Sequence, residues 1–139
     1  MTTKSDLQFI IVDDDRSNNF LCEYAIRVLL PESRVELFEN PEEALKAIKN
    51  TYSGSDRNNR VVLFLDINMP RLSGWEFLEN FKEFREQLGV QFDIYMLSSS
   101  ISKSDRDRVD ANKDISGFLS KPLIVKELRI LLSKHTAGV

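Results

Sequence analysis

Val61-Val62-Leu63-Phe64-Leu65-Asp66-Ile67-Asn68-Met69-Pro70 is the stretch that decides the fold. Its five leading apolar residues show no alternation. Such a run fits a strand buried on both faces, and strands of that kind belong to parallel sheets covered by helices. The run is far too short to cross a membrane. It ends on a carboxylate, and the pattern recurs on either side. Ile10-Ile11-Val12 runs into Asp13-Asp14, Tyr95-Met96-Leu97 into Ser98, and Phe118-Leu119 through Ser120 into Lys121-Pro122. Ligands of open α/β sheets bind beyond the carboxyl ends of the strands. Three carboxylates, a hydroxyl and an ammonium group therefore converge at one sheet edge, a set that suits Mg²⁺ and a phosphoryl group.

Between these runs lie amphipathic stretches, so strands and helices alternate as in a βαβ sheet. Strands are expected near 7–12, 34–38, 61–65, 92–97 and 116–120, and helices near 16–30, 41–50, 74–88, 103–112 and 123–135. Asn40-Pro41-Glu42-Glu43 supplies a cap, a proline at the first helical position and a glutamate three residues after the cap. Ser73-Gly74-Trp75-Glu76 repeats the capping box without the proline. Phe77, Phe81, Phe84 and Leu88 form one apolar stripe on the third helix, as do Leu21, Ala25 and Val28 on the first and Val125, Leu128 and Leu132 on the last. The fourth helix offers only Val109 and Ala111 to a core, so it is expected to be the least firmly held. Residues 50–60 read as a polar loop at the opposite, amino edge of the sheet.

The 139 residues fit a single domain, here residues 1–139, with no second unit or output domain expected. Hydrophobic residues make up 42% and charged residues 29%, a soluble globular balance. A net charge of −3 argues against direct nucleic-acid binding, which favours a basic surface. The first residues lack an apolar signal region, and no segment is long enough to span a bilayer, so no membrane contact and a cytoplasmic location are expected. Cys22 is the only cysteine and sits among apolar residues, which fits a buried core thiol. His135 is the only histidine and lies near the end, where a solvated side chain is expected.

Asp13, Asp14 and Asp66 at one edge need a cation, because carboxylates ~4 Å apart repel by ~4 kcal/mol at an effective dielectric of about 20. Mg²⁺ commonly takes one or two carboxylates, several waters and a substrate phosphate. A helix dipole alone accounts for acidic residues at a helix start. It does not account for Asp66, which ends a separate strand. A carboxylate there is a candidate nucleophile, since aspartate forms acyl phosphates. Lys121 and Mg²⁺ would neutralise the phosphoryl charge, and Ser98 would donate a hydrogen bond to a phosphoryl oxygen. Pro122 biases Lys121 toward an extended backbone, so the ammonium projects from a strand end.

Taken in order, Asp13-Asp14, Asp66 through Pro70 with Gly74, Ser98 and Lys121-Pro122 resemble the response-regulator receiver domain of two-component signalling, of the single-domain, chemotaxis-regulator-like type. The resemblance implies a flavodoxin-like, doubly wound α/β fold: a five-stranded parallel sheet in order 2-1-3-4-5 with five helices. It implies Asp66 as phosphoacceptor, charged by a histidine kinase or a histidine phosphotransfer protein. It implies Mg²⁺ held by Asp14, Asp13, Asp66 and the backbone carbonyl of Asn68. Lys121 would contact the phosphoryl group, and Ser98 and Phe118 would form the switch. Phe118 stands where tyrosine is usual, so no hydroxyl is available there to pass a hydrogen bond. A downstream protein, or a second copy of the chain, would read the face made by the fourth helix, fifth strand and fifth helix.

The expected function is a phosphorylation-dependent switch, not an enzyme beyond its own phosphoacceptance and dephosphorylation. Two other readings compete. One is a phosphorelay shuttle without conformational output. The other is a Mg²⁺-dependent phosphohydrolase with an aspartate nucleophile, which would want an acid/base carboxyl two residues after Asp66, where this chain has Asn68.

Overall fold

The computed structural model describes residues 7–54 and 60–136. Strands β1 (Leu7–Val12), β2 (Arg34–Phe38), β3 (Arg60–Asp66), β4 (Gln91–Ser98) and β5 (Ile115–Ser120) form one parallel sheet in the order β2-β1-β3-β4-β5. Helices α1 (Arg16–Leu29), α2 (Pro41–Tyr52), α3 (Gly74–Phe84), α4 (Lys103–Ala111) and α5 (Val125–Thr136) connect the strands. The strand order reverses between β1 and β3, which opens a crevice at their carboxyl ends.

The uninterrupted apolar run of β3 serves two cores. Val61, Leu63 and Leu65 face the side covered by Ala44 and Ile48 of α2, Phe77 and Phe81 of α3, and Val109 of α4. Val62 and Phe64 face the side covered by Cys22, Ala25 and Ile26 of α1 and Leu128, Leu131 and Leu132 of α5. Burial pushes the Cys22 thiol up to about 12, and the Asp13 charge adds to the shift, so it stays a protonated core group.

Four expectations about the helices are corrected. On α1, Leu21 and Val28 are 47% and 49% exposed, and the inward face is Cys22, Ala25 and Ile26. Apolar residues lie on two faces of the helix, so two stripes satisfy helical spacing, and packing against β1 and α5 selects the second. Helix α2 continues to Tyr52, two residues past its expected end, because the Tyr52 ring is buried edge-on against Phe92 and its hydroxyl donates to Gln8 Oε1 at 2.7 Å. The centre of that loop, 55–59, lies outside the described residues. Helix α3 ends at Phe84 and tightens into a 3₁₀ turn over Arg85–Gln87. The turn brings Leu88 back into the core beside Phe84, where Gly89 donates its amide to Tyr52 O at 3.0 Å. On α4 only Val109 is buried, while Ala111 is exposed. His135 falls in the last turn of α5, and its side chain lies outside the described residues.

Candidate functional site

Strand register places the site residues side by side. Val12 pairs with Leu65, Asp66 with Leu97 and Ser98 with Ser120, so Asp13, Asp66, Ser98 and Lys121 all emerge at the same edge. Asp13 is fully buried and Asp66 is 3% exposed, whereas Asp14 is open to solvent. Each of these three offers a carboxylate oxygen within 4.8 Å of the others.

Lys121 Nζ bridges the buried pair, 2.8 Å from Asp13 Oδ2 and 3.1 Å from Asp66 Oδ1. Burial works against the lysine charge, but the hydrogen bond and charge of Asp13, followed by those of Asp66, leave its pKa above the usual value. Asp66 moves the other way from an ordinary carboxyl. Burial and the neighbouring Asp13 charge lift it from 3.8 to about 7, against the pull of Lys121 and the Asn68 amide. One ammonium does not balance two buried carboxylates plus Asp14, so the donor set fits a hard divalent cation with oxygen ligands.

The loop after β3 shapes the surroundings of the Asp66 carboxylate. The Asn68 amide donates to Asp66 Oδ1 at 3.3 Å, so this bond and the Lys121 contact both fall on Oδ1. The Gly74 amide donates to Ile67 O at 2.8 Å. A Cβ on Gly74 would lie 2.6 Å from the Asp66 carbonyl oxygen and 2.9 Å from Met96 Cε. Glycine is therefore required here for close backbone approach, with no special dihedral angle involved.

Ser98 and Phe118 are near the edge, but their side chains are engaged elsewhere. The Ser98 hydroxyl donates to Ser100 O at 2.7 Å and accepts from Ser100 N at 3.2 Å. The Lys121 amide donates to Ser98 O at 3.0 Å, which ties the two strand ends together. Phe118 is half-buried, and the Arg106 guanidinium lies 5.6 Å over its ring. Asn68 and Ser100 stand exposed at the rim.

Two site residues escaped the sequence reading. Asn18 donates to Asp13 Oδ2 at 2.7 Å, and Asn19 donates to the Asp13 carbonyl at 2.8 Å. With the Asp15 amide on Asp13 Oδ1 at 2.9 Å, they fix the Asp13 carboxylate from the α1 side. Their only signal was a pair of amides one turn into α1, where polar residues usually face water.

The model of the response regulator receiver domain matches residues 9–133. A response regulator receiver protein from Dyadobacter fermentans superposes with a TM-score of 0.74 at 26% identity, covering 92% of this chain and 96% of that one. A two-component response regulator from Cytophaga hutchinsonii gives 0.78 at 25% identity, covering 94% and 96%. The chemotaxis protein CheY4 of Vibrio cholerae shares the fold, with a TM-score of 0.67 at 24% identity over 92% and 97%. None of the curated proteins matches the sequence. Receiver domains are signalling modules that bind Mg²⁺ in an acidic pocket and switch with phosphorylation, in exchange with histidine kinases, phosphotransfer proteins and output targets. No helix among the described residues is long and apolar enough to cross a membrane. The family match runs from β1 into α5, and the chain belongs to the response regulator receiver domain family.

Proposed function

We propose that Asp66 is the phosphoacceptor of this receiver. The observation that carries the reading is the Lys121 ammonium bridging Asp13 and Asp66, two buried carboxylates at the strand-order reversal, with Asp14 beside them. Asp66 Oδ2 forms a bond to phosphorus as the bond from phosphorus to the donor's histidine nitrogen breaks, and that electron pair returns to the imidazole ring. Lys121 follows the phosphoryl charge, and Asn18 and Asn19 keep Asp13 aimed at the site. Mg²⁺ held by Asp14, Asp13, Asp66 and the Asn68 carbonyl would supply neutralisation of the phosphoryl oxygens. Ser98 leaves Ser100 O to donate to the new phosphoryl group, and Phe118 moves into the space its loop vacates. The face formed by α4, β5 and α5 then changes for a downstream protein or a second copy of the chain.

A histidine-bearing phosphodonor docks on α1. Phe20, Leu21, Tyr24 and Val28 form an exposed apolar stripe, with Phe20 at 66% and Tyr24 at 62%. The helix begins directly after the Asp13-Asp14 loop, so a partner seated on the stripe reaches Asp66. Apolar patches of this kind mark protein contacts.

Acetyl phosphate with Mg²⁺, followed by mass spectrometry, tests the phosphoacceptor. Modification is expected at Asp66 alone and is lost in Asp66→Asn. Wild-type levels of stable modification in that variant would remove the assignment.

A further inference from the structure

Helix α4 buries one apolar side chain, Val109, which is little to hold nine residues in place. Besides Val109 and the Arg106 guanidinium over Phe118, one indole takes two of the helix's side chains. Trp75 Nε1 donates to Asp105 Oδ1 at 3.0 Å, and the Arg108 guanidinium stacks 4.1 Å from the centroid of the same ring. Asp105 and Arg108 are three residues apart, so one face of α4 closes on Trp75 from two directions. A half-buried indole N–H needs an acceptor, and a guanidinium over an indole face is an attractive contact.

Trp75 is in turn seated on the Asp66 loop. It follows Gly74, whose amide holds Ile67 O and whose Cα lies so close to the Asp66 carbonyl that no Cβ fits. Asp66, Gly74, Trp75 and α4 thus form a line of direct contacts that passes through neither Ser98 nor Phe118.

We propose that Trp75 is a positioning residue for α4, a polar latch that fixes the helix in the unphosphorylated protein and relays movement of the Asp66 loop to it. This rests on the reading of Asp66 as phosphoacceptor and adds a second route from it to the output face. Loosening the latch frees α4 without touching the acidic pocket.

The test is amide hydrogen exchange across 103–111, with and without beryllofluoride, beside acetyl phosphate labelling of Asp66. Asp105 also sits in the first turn of α4, where its charge favours the helix, so Asp105→Ala removes two effects at once. Trp75→Phe leaves the α4 sequence unaltered, removes the indole donor and keeps a ring, though a weaker one, under Arg108. Trp75→Phe is expected to speed α4 exchange in the free protein by about tenfold, the loss expected for one hydrogen bond of roughly 1.4 kcal/mol, and Asp105→Ala by more. Both variants are also expected to shrink the change that beryllofluoride causes there, while Asp66 is labelled as in wild type. Asp105→Asn, which keeps an acceptor oxygen and loses only the first-turn charge, is expected to speed exchange less than Asp105→Ala does. Free-state α4 exchange within twofold of wild type in Trp75→Phe would overturn the latch. Failure of wild-type Asp66 to be labelled would overturn the phosphoacceptor reading instead, and the free-state comparison would still decide the latch.

Discussion

Helices α1 and α4 both start just beyond strand ends that carry site residues, yet they are held by opposite means. Helix α1 buries Cys22, Ala25 and Ile26 and has apolar residues to spare on its outer face. Helix α4 buries Val109 and otherwise leans on Trp75 and Phe118 through Asp105, Arg108 and Arg106. The first is a fixed platform that also presents an exposed apolar stripe. The second is held by contacts that exchange readily with water, so a small force shifts it. The proposed function uses both: a rigid surface for the phosphodonor and a movable one for the signal.

The sharpest way to break this contrast is truncation of the two anchors. Ile26→Ala removes a fully buried side chain and is expected to cost about 2–5 kcal/mol of unfolding free energy in urea. Val109→Ala removes two carbons from a 6% exposed site and is expected to cost less, below ~2 kcal/mol. Equal losses would mean that α4 is as deeply anchored as α1.

A second test concerns the outer face of α1. Replacing Phe20 and Tyr24 together by serine is expected to slow phosphotransfer from a phosphohistidine donor protein by about tenfold, the scale of one modest hot spot. Labelling by acetyl phosphate, which needs no docking, is expected to stay at the wild-type rate. A loss of self-association in sedimentation, with phosphotransfer unchanged, would assign the stripe to a second copy of the chain.

The acidic pocket between these helices gives a smaller, pH-dependent effect. A carboxyl raised to about 7 favours the folded state only while protonated. Without Mg²⁺, the stability it contributes is complete below its unfolded pKa near 3.8 and is lost as pH rises through about 7. Asp66→Asn is therefore expected to melt progressively higher than wild type as pH climbs from 4 to 8 in a chelator. A melting difference that does not change over that range would show that Asp66 titrates normally.

Strand ends made much of the site legible. Asp13, Asp66, Ser98 and Lys121 each close an apolar run, and parallel pairing brings such positions to one edge whatever lies between them. The inner strands were readable to within a residue or so, as with 61–65 against Arg60–Asp66, because burial on both faces leaves an unmistakable apolar run. Helix faces were harder. Periodicity gave the stripes of α3 and α5, but α1 is apolar on two faces and only its packing partner picks the inner one. Asn18 and Asn19 carry no pattern that separates them from solvent-facing amides. The Trp75 to Asp105 bond joins residues thirty positions apart, a tertiary contact with no local trace. The end of α3 was obscured because Phe84 and Leu88 keep helical spacing through a turn that is no longer α-helical.

The central claim is that phosphorylation moves α4 and leaves α1 in place. The most direct measurement is amide hydrogen exchange with and without beryllofluoride, compared between residues 98–121 and Arg16–Leu29. Protection is expected to change along 98–121 and to stay the same over α1. A change confined to the residues beside Asp66, or one equally large in α1, would contradict the account.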